Sequence, residues 1–218
     1  TGESVLEDTR SFSARYNDAN FALGNVNVVG FYNDIKKRFN YSAFAFPYNN
    51  PVYYSGNPAS PTSPFNQTTL YSDRGGVNLS IDTPLDRIWS GAKLTWGSDV
   101  IYEKTTQDLT NGQDVFTPLT QTTTAGFALL QVPITERLTV RGGVRYEHFD
   151  LNVDNFVRPA AYGAISQAVS FVLPPLNVIG GKYEYASPTY NAGATFKLNE
   201  RSEIFGGFSQ GFALPDVG

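Results

Sequence analysis

Neither cysteine nor methionine occurs among the 218 residues. Disulfides, thiolate metal sites and cysteine nucleophiles are thereby excluded. Charge is sparse, at 17% Asp, Glu, Lys and Arg, and 16 basic against 20 acidic residues leave a net charge of −4. Nothing in that balance offers the basic footprint a nucleic-acid partner requires. Long hydrophobic runs are also missing. No stretch approaches the roughly 18 to 20 consecutive apolar residues of a spanning helix, so any crossing of a membrane must use strands. The mean hydropathy of −0.26 does not oppose such a crossing, because a barrel strand shows only every second residue to lipid. The opening Thr1-Gly-Glu-Ser-Val-Leu-Glu-Asp8 lacks the basic start and apolar core of a signal peptide. The far end leaves a strand with no closing element, and the chain reads as a piece of something larger.

What is present is an aromatic-rich, β-prone mixture with 13 Tyr, 16 Phe and 20 Gly. Its main signal is alternation with a period of two, the period that puts successive strand side chains on opposite faces. Leu138, Val140, Gly142, Val144 and Tyr146 share one face, and Thr139, Arg141, Gly143, Arg145 and Glu147 the other. The pattern recurs in Val77, Leu79 and Ile81, in Leu94, Trp96, Val100 and Tyr102, in Ala192, Ala194, Phe196 and Leu198, and in Ile204, Gly206 and Phe208. Ile101 and Phe205 interrupt it.

About eight strands follow, near 11–16, 21–34, 74–83, 90–106, 124–133, 138–151, 187–198 and 202–212, in four up-and-down pairs. The predicted short connections are 17–20, 83–89, 135–137 and 199–201, and the long ones 35–73, 107–123 and 152–186. Segregation of short and long connections to opposite ends is the habit of outer-membrane barrels, and soluble domains seldom carry several loops beyond about 15 residues. The expected fold class is all-β, an antiparallel up-and-down transmembrane β-barrel represented by a partial wall of about eight strands. Trp89, beside a short turn, and Tyr102 and Tyr146, nearer the long loops, suit interfacial aromatic girdles.

Two groups of residues are candidates for function. Tyr41, Phe44, Phe46, Tyr48, Tyr53 and Tyr54 crowd the first long loop and suit either a ligand-facing surface or packing of the rings on one another. Asp99, Glu103, Arg141, Arg145, Glu147 and Lys197 fall on the polar face, where they pair, are hydrated or meet a plug. Lys36-Lys37-Arg38 is a short basic run expected as a solvated strand end, the alternative being a contact with anionic lipopolysaccharide or an anionic ferric complex. His148, the single histidine, adjoins Glu147 and Asp150. One imidazole with strand-alternate carboxylates lacks a convergent ligand set, so neither a metal site nor a catalytic residue is expected.

Gly143-Val-Arg-Tyr-Glu147, Leu94-Thr-Trp-Gly-Ser-Asp-Val-Ile-Tyr-Glu103 and Phe205-Gly-Gly-Phe-Ser-Gln-Gly-Phe-Ala-Leu-Pro-Asp216 resemble, in order and spacing, strand ends and a strand-to-loop passage of TonB-dependent outer-membrane receptors. The resemblance implies import of a scarce nutrient, most often a ferric siderophore, through a 22-stranded barrel plugged by an N-terminal domain. It implies no enzyme activity, no covalent cofactor, a bacterial outer-membrane location, and contact with lipid, lipopolysaccharide, TonB and an iron chelate. On this reading residues 1–218 are one segment of a barrel domain, and the plug and remaining strands lie elsewhere. A passive porin or a small eight-stranded outer-membrane protein is the alternative, and a soluble carbohydrate-binding sandwich a third reading. Gly97, Gly143, Gly193 and Gly207 on the inner face are expected to leave space there, which favours a wide barrel over a narrow, filled one.

Overall fold

The computed structural model describes residues 4–40, 52–53, 67–109, 112–166 and 169–211. Eight long strands make one antiparallel sheet: β1 (Ser4–Phe21), β2 (Gly24–Asn40), β4 (Gln67–Pro84), β5 (Lys93–Leu109), β6 (Asp114–Pro133), β7 (Leu138–Val153), β12 (Gly181–Asn199) and β13 (Ser202–Ser209). They lie side by side in that order, each pairing with the next, and β1 and β13 are its open edges. Short strands β3 (Val52–Tyr53), β9 (Ala161–Ser166) and β10 (Val169–Leu173) form a second sheet, and β8 (Phe156–Arg158) pairs with β11 (Leu176–Val178). There is no helix among the described residues. The sheet is an open section of barrel wall, neither a closed eight-stranded barrel nor two sheets packed face to face.

The short turns are built from local side-chain hydrogen bonds. Thr135 Oγ1 accepts from the Arg137 and Leu138 amides at 3.2 and 3.0 Å. Asn199 Oδ1 accepts from the Arg201 amide at 2.9 Å, and Asp86 Oδ1 from the Gly91 amide at 2.8 Å. The first turn corrects expectation. Asn17–Asn20, expected as a short turn, instead sits in a register shift at the end of β1, where Asp18 Oδ1 accepts from the Asn20 amide at 2.8 Å, and the chain reverses at Ala22-Leu23. Gly24 closes the reversal at φ +129°, where a Cβ would strike the Asp82 carbonyl.

Strand length is the second correction. Residues 107–123 are not a long loop, since β5 runs to Leu109 and β6 starts at Asp114. The 35–73 and 152–186 loops shrink likewise as β2, β4, β7 and β12 run on. Lys36-Lys37-Arg38 lies inside β2, with Lys37 Nζ 3.3 Å from Glu7 and Lys36 Nζ 5.5 Å from the Tyr71 ring centroid. The physical reason is that these extensions project past the membrane, where both faces are wet and the period-two signal fades.

Faces follow from register. Partnered residues across Tyr16, Val28, Leu79, Ser98, Gly126 and Tyr146 define one face, and those across Arg15, Val29, Asn78, Asp99, Ala125 and Glu147 the other. The first face leaves Phe12, Val77, Val100, Tyr146, Tyr190 and Phe208 exposed. On it Phe12 lies nine residues from Phe21, Tyr32 eight from Gly24, Tyr102 nine from Lys93, Tyr146 eight from Leu138 and Tyr190 nine from Asn199. At ~3.3 Å per residue and a tilt of ~40°, that is about 20 to 23 Å of height, close to the ~25 Å apolar band of an outer-membrane wall. Trp89, whose Nε1 donates to the Pro133 carbonyl at 2.7 Å, sits at the short-turn end. Past the upper aromatics the same face turns polar at Arg10, Asp34, Asp73, Lys104 and Lys182.

Candidate functional site

The inner face carries a lattice of charge held by cross-strand neighbours. Arg145 on β7 is its centre. Its Nη1 lies 2.6 Å from Asp99 Oδ2 on β5, and its Nη2 lies 2.8 Å from Glu147 Oε1 two residues along the same strand. Asn78 Nδ2 donates to the other Asp99 oxygen at 2.8 Å. The guanidinium also stands 5.8 Å from the Phe127 ring centroid, a cation–π distance. Asp99 exposes 12% of its side chain and Arg145 32%, so the pair is only partly screened. Lower down, Asp82 accepts from Thr95 Oγ1 at 2.5 Å and lies 3.6 Å from Lys93 Nζ. Higher up, Arg74 Nε approaches Glu103 Oε2 at 3.8 Å.

Asp99, Glu103, Arg141, Arg145, Glu147 and Lys197 all share this face by register. Asp99, Arg145 and Glu147 form one network and Glu103 belongs to a separate pair, whereas Arg141 and Lys197 make no ion pair among the described residues. The glycines beside them are a correction. They do not leave empty space: Phe127 and the Leu79 carbonyl crowd Gly97, Asn191 and Leu129 cover Gly143, Arg141 lies over Gly193, and the Ala192 carbonyl meets Gly207. Glycine is there to let neighbouring chains close over the backbone.

Of the loop candidates, Tyr41, Phe44, Phe46, Tyr48 and Tyr54 lie outside the described residues. Tyr53 falls in β3, whose backbone pairs with β9 at Tyr53↔Tyr162 and so joins the first long loop to the 154–180 excursion. An inner row of Phe31, Ile101, Thr123, Phe149 and Tyr185 went unrecognised, although the interruption at Ile101 was its signal. Also unrecognised was Glu184, which register places opposite Asp150, beside His148.

The lattice sets one expectation. Arg145→Ala strands Asp99 and Glu147 without their shared cation and should lower barrel stability by about 1 to 2 kcal/mol. Arg145→Lys should recover only part, because an ammonium cannot bridge both carboxylates as the planar fork does. The midpoint of the heat-induced mobility shift of the full-length protein reads both.

An up-and-down sheet with an apolar band of bilayer height outside and a charged, hydrogen-bonded lattice inside is the wall of a membrane-spanning β-barrel. The chain belongs to the TonB-dependent receptor β-barrel family: the family model described as TonB dependent receptor-like, beta-barrel, matches residues 3–218. Family members are transport receptors of the bacterial outer membrane. The chain is similar to the ferric aerobactin receptor of Klebsiella pneumoniae, with 28% identity over 229 aligned residues that cover 94% of the chain and 28% of that receptor. It is also similar to the rhizobactin receptor of Rhizobium meliloti (strain 1021), at 38% identity over 94 residues, covering 43% of the chain and 12% of that receptor. The chain thus spans less than a third of the length of either. The copper transporter OprC shares the fold with a TM-score of 0.63 at 14% identity, over 96% of the chain and 31% of OprC. The closed form of the E. coli ferric-catecholate import receptor Fiu does so with a TM-score of 0.61 at 12% identity, over 97% of the chain and 35% of Fiu.

Proposed function

We propose that this chain is the wall section of an outer-membrane receptor that imports a ferric siderophore or a similar scarce iron chelate, energised through TonB. The observation that carries the reading is the likeness to a ferric aerobactin receptor along 94% of the chain, on a family whose members are transport receptors. The remaining strands and an N-terminal plug that contacts TonB lie outside residues 1–218 on this reading. Arg141 and Lys197, two inner-face cations that make no ion pair among the described residues, and the Asp99–Arg145–Glu147 lattice contact that plug. Polar residues above the outer aromatics, Arg10, Lys104 and Lys182 among them, meet lipopolysaccharide. Tyr41, Phe44, Phe46, Tyr48, Tyr53 and Tyr54 contact the incoming chelate. No covalent cofactor and no catalytic step belong to this role.

The test is uptake of radioactive iron presented as ferric aerobactin by iron-starved cells with and without the full-length gene. Uptake that needs the gene and collapses with a protonophore supports the receptor. Uptake that persists under the protonophore and follows the gradient would instead favour a passive pore. A paired Tyr53→Ala, Tyr54→Ala variant should weaken chelate binding about tenfold, on the order of 1.4 kcal/mol, which is about what one or two well-placed rings contribute. Quenching of intrinsic fluorescence on titration measures it.

A further inference from the structure

We infer that His148, Asp150 and Glu184 form a divalent transition-metal site on the outside of the barrel wall, above the bilayer and away from the lumen. The three ligand atoms lie within 4.8 Å of one another. The strand ladder holds them there: His148 and Asp150 are two apart on β7, hence on one face, and Glu184 is the direct partner of Asp150 on β12. His148 faces Ala186, whose small side chain leaves the imidazole room to lean toward the carboxylates.

One feature points to a cation rather than to a chance cluster, and it is charge that no Lys or Arg among the described residues compensates. His148 Nε2 and Asp150 Oδ1 are 3.3 Å apart, a spacing that a hydrogen bond gives as readily as a shared ion. Like charges directly opposite on neighbouring strands repel, yet Asp150 and Glu184 are so placed, and no Lys or Arg pairs with either among the described residues. Lys182, on the same face two residues before Glu184, makes no ion pair with them. An ion of charge +2 resolves that repulsion and uses the imidazole as well.

One imidazole nitrogen with two carboxylate oxygens suits zinc, nickel or copper better than calcium or magnesium, which prefer all-oxygen sets. Water completes the coordination, because Asp150 and Glu184 are exposed. Position separates this site from transport. His148 lies two residues beyond Tyr146 on the lipid-facing side, so an ion there is at the membrane surface and not on a path through the barrel. The inference does not depend on the siderophore reading.

The test uses the full-length protein in detergent, stripped with EDTA and titrated with Zn²⁺ by calorimetry in the presence of millimolar Mg²⁺. Wild type should bind one more Zn²⁺ than His148→Ala, and Asp150→Asn and Glu184→Gln should each weaken that step at least tenfold. An unchanged heat-induced mobility shift in the variants shows that the barrel is intact. Equal stoichiometry and affinity in wild type and all three variants overturns the site. Loss in the two carboxylate variants with none in His148→Ala, or displacement by Mg²⁺, overturns the transition-metal assignment.

Discussion

Leu79→Arg should destabilise the barrel by about 3 kcal/mol, the cost of a guanidinium facing lipid near the bilayer midplane. Leu79 lies five residues from Pro84, the end of β4 at the short turns, while the upper aromatics lie eight or nine residues from theirs. Its cross-strand neighbours Val28 and Ser98 hold no charge with which an arginine could pair. Ser187→Arg is the matched control, because Ser187 is on the other face and directly opposite Glu147. That change should stay within about 0.5 kcal/mol. Urea unfolding of the full-length protein from lipid vesicles measures both. A harmless Leu79→Arg beside a damaging Ser187→Arg would reverse the assignment of the two faces.

Gly97→Val should be as costly, about 3 kcal/mol, through overpacking. A Cβ at Gly97 collides with the Leu79 carbonyl and comes within 2.9 Å of the Phe127 ring. The backbone is fixed by unbroken pairing on both sides, to Ser80 and to Phe127. If the ring is forced away, it also loses its place beside Arg145. Gly30→Val is the contrasting case: nothing lies within 4 Å of its Cβ position, it lies on the outer face, and a β-branched residue suits a strand. The expected pair of outcomes is poor assembly of Gly97→Val in the outer membrane and normal assembly of Gly30→Val. Equal assembly of both would mean that the wall relaxes around Gly97 far more readily than its register suggests.

Where the two faces differ chemically, side-chain order alone revealed the wall. Leu138 to Tyr146 and Val77 to Ile81 alternate cleanly, because one face meets lipid and the other a wet interior. The same logic explains what was hidden. At Gln107 and Asp108 and from Thr120 to Thr123 both faces are polar, so strands that run well past the membrane read as a loop. The reversal after β1 was hidden in another way, since the Asn and Asp residues of 17–20 suit a bulge at a strand end as well as a turn. Of the candidate site, the six inner charges were legible as a set because parity alone puts them together. Their grouping was not, because Arg145 meets Asp99 across two strand boundaries and 46 positions of sequence.

By itself, then, the sequence determined the all-β class, the identity of the two faces, the aromatic levels and the absence of thiol chemistry. These follow from composition and from a period of two, both local properties. Only the tertiary structure decided where strands end, which glycines lie beneath a neighbour's side chain, that Arg145 joins Asp99 to Glu147, and that Glu184 stands beside His148. Each of these depends on the register between strands distant in sequence. Register is set jointly by every pairing in the sheet, so no single strand encodes it.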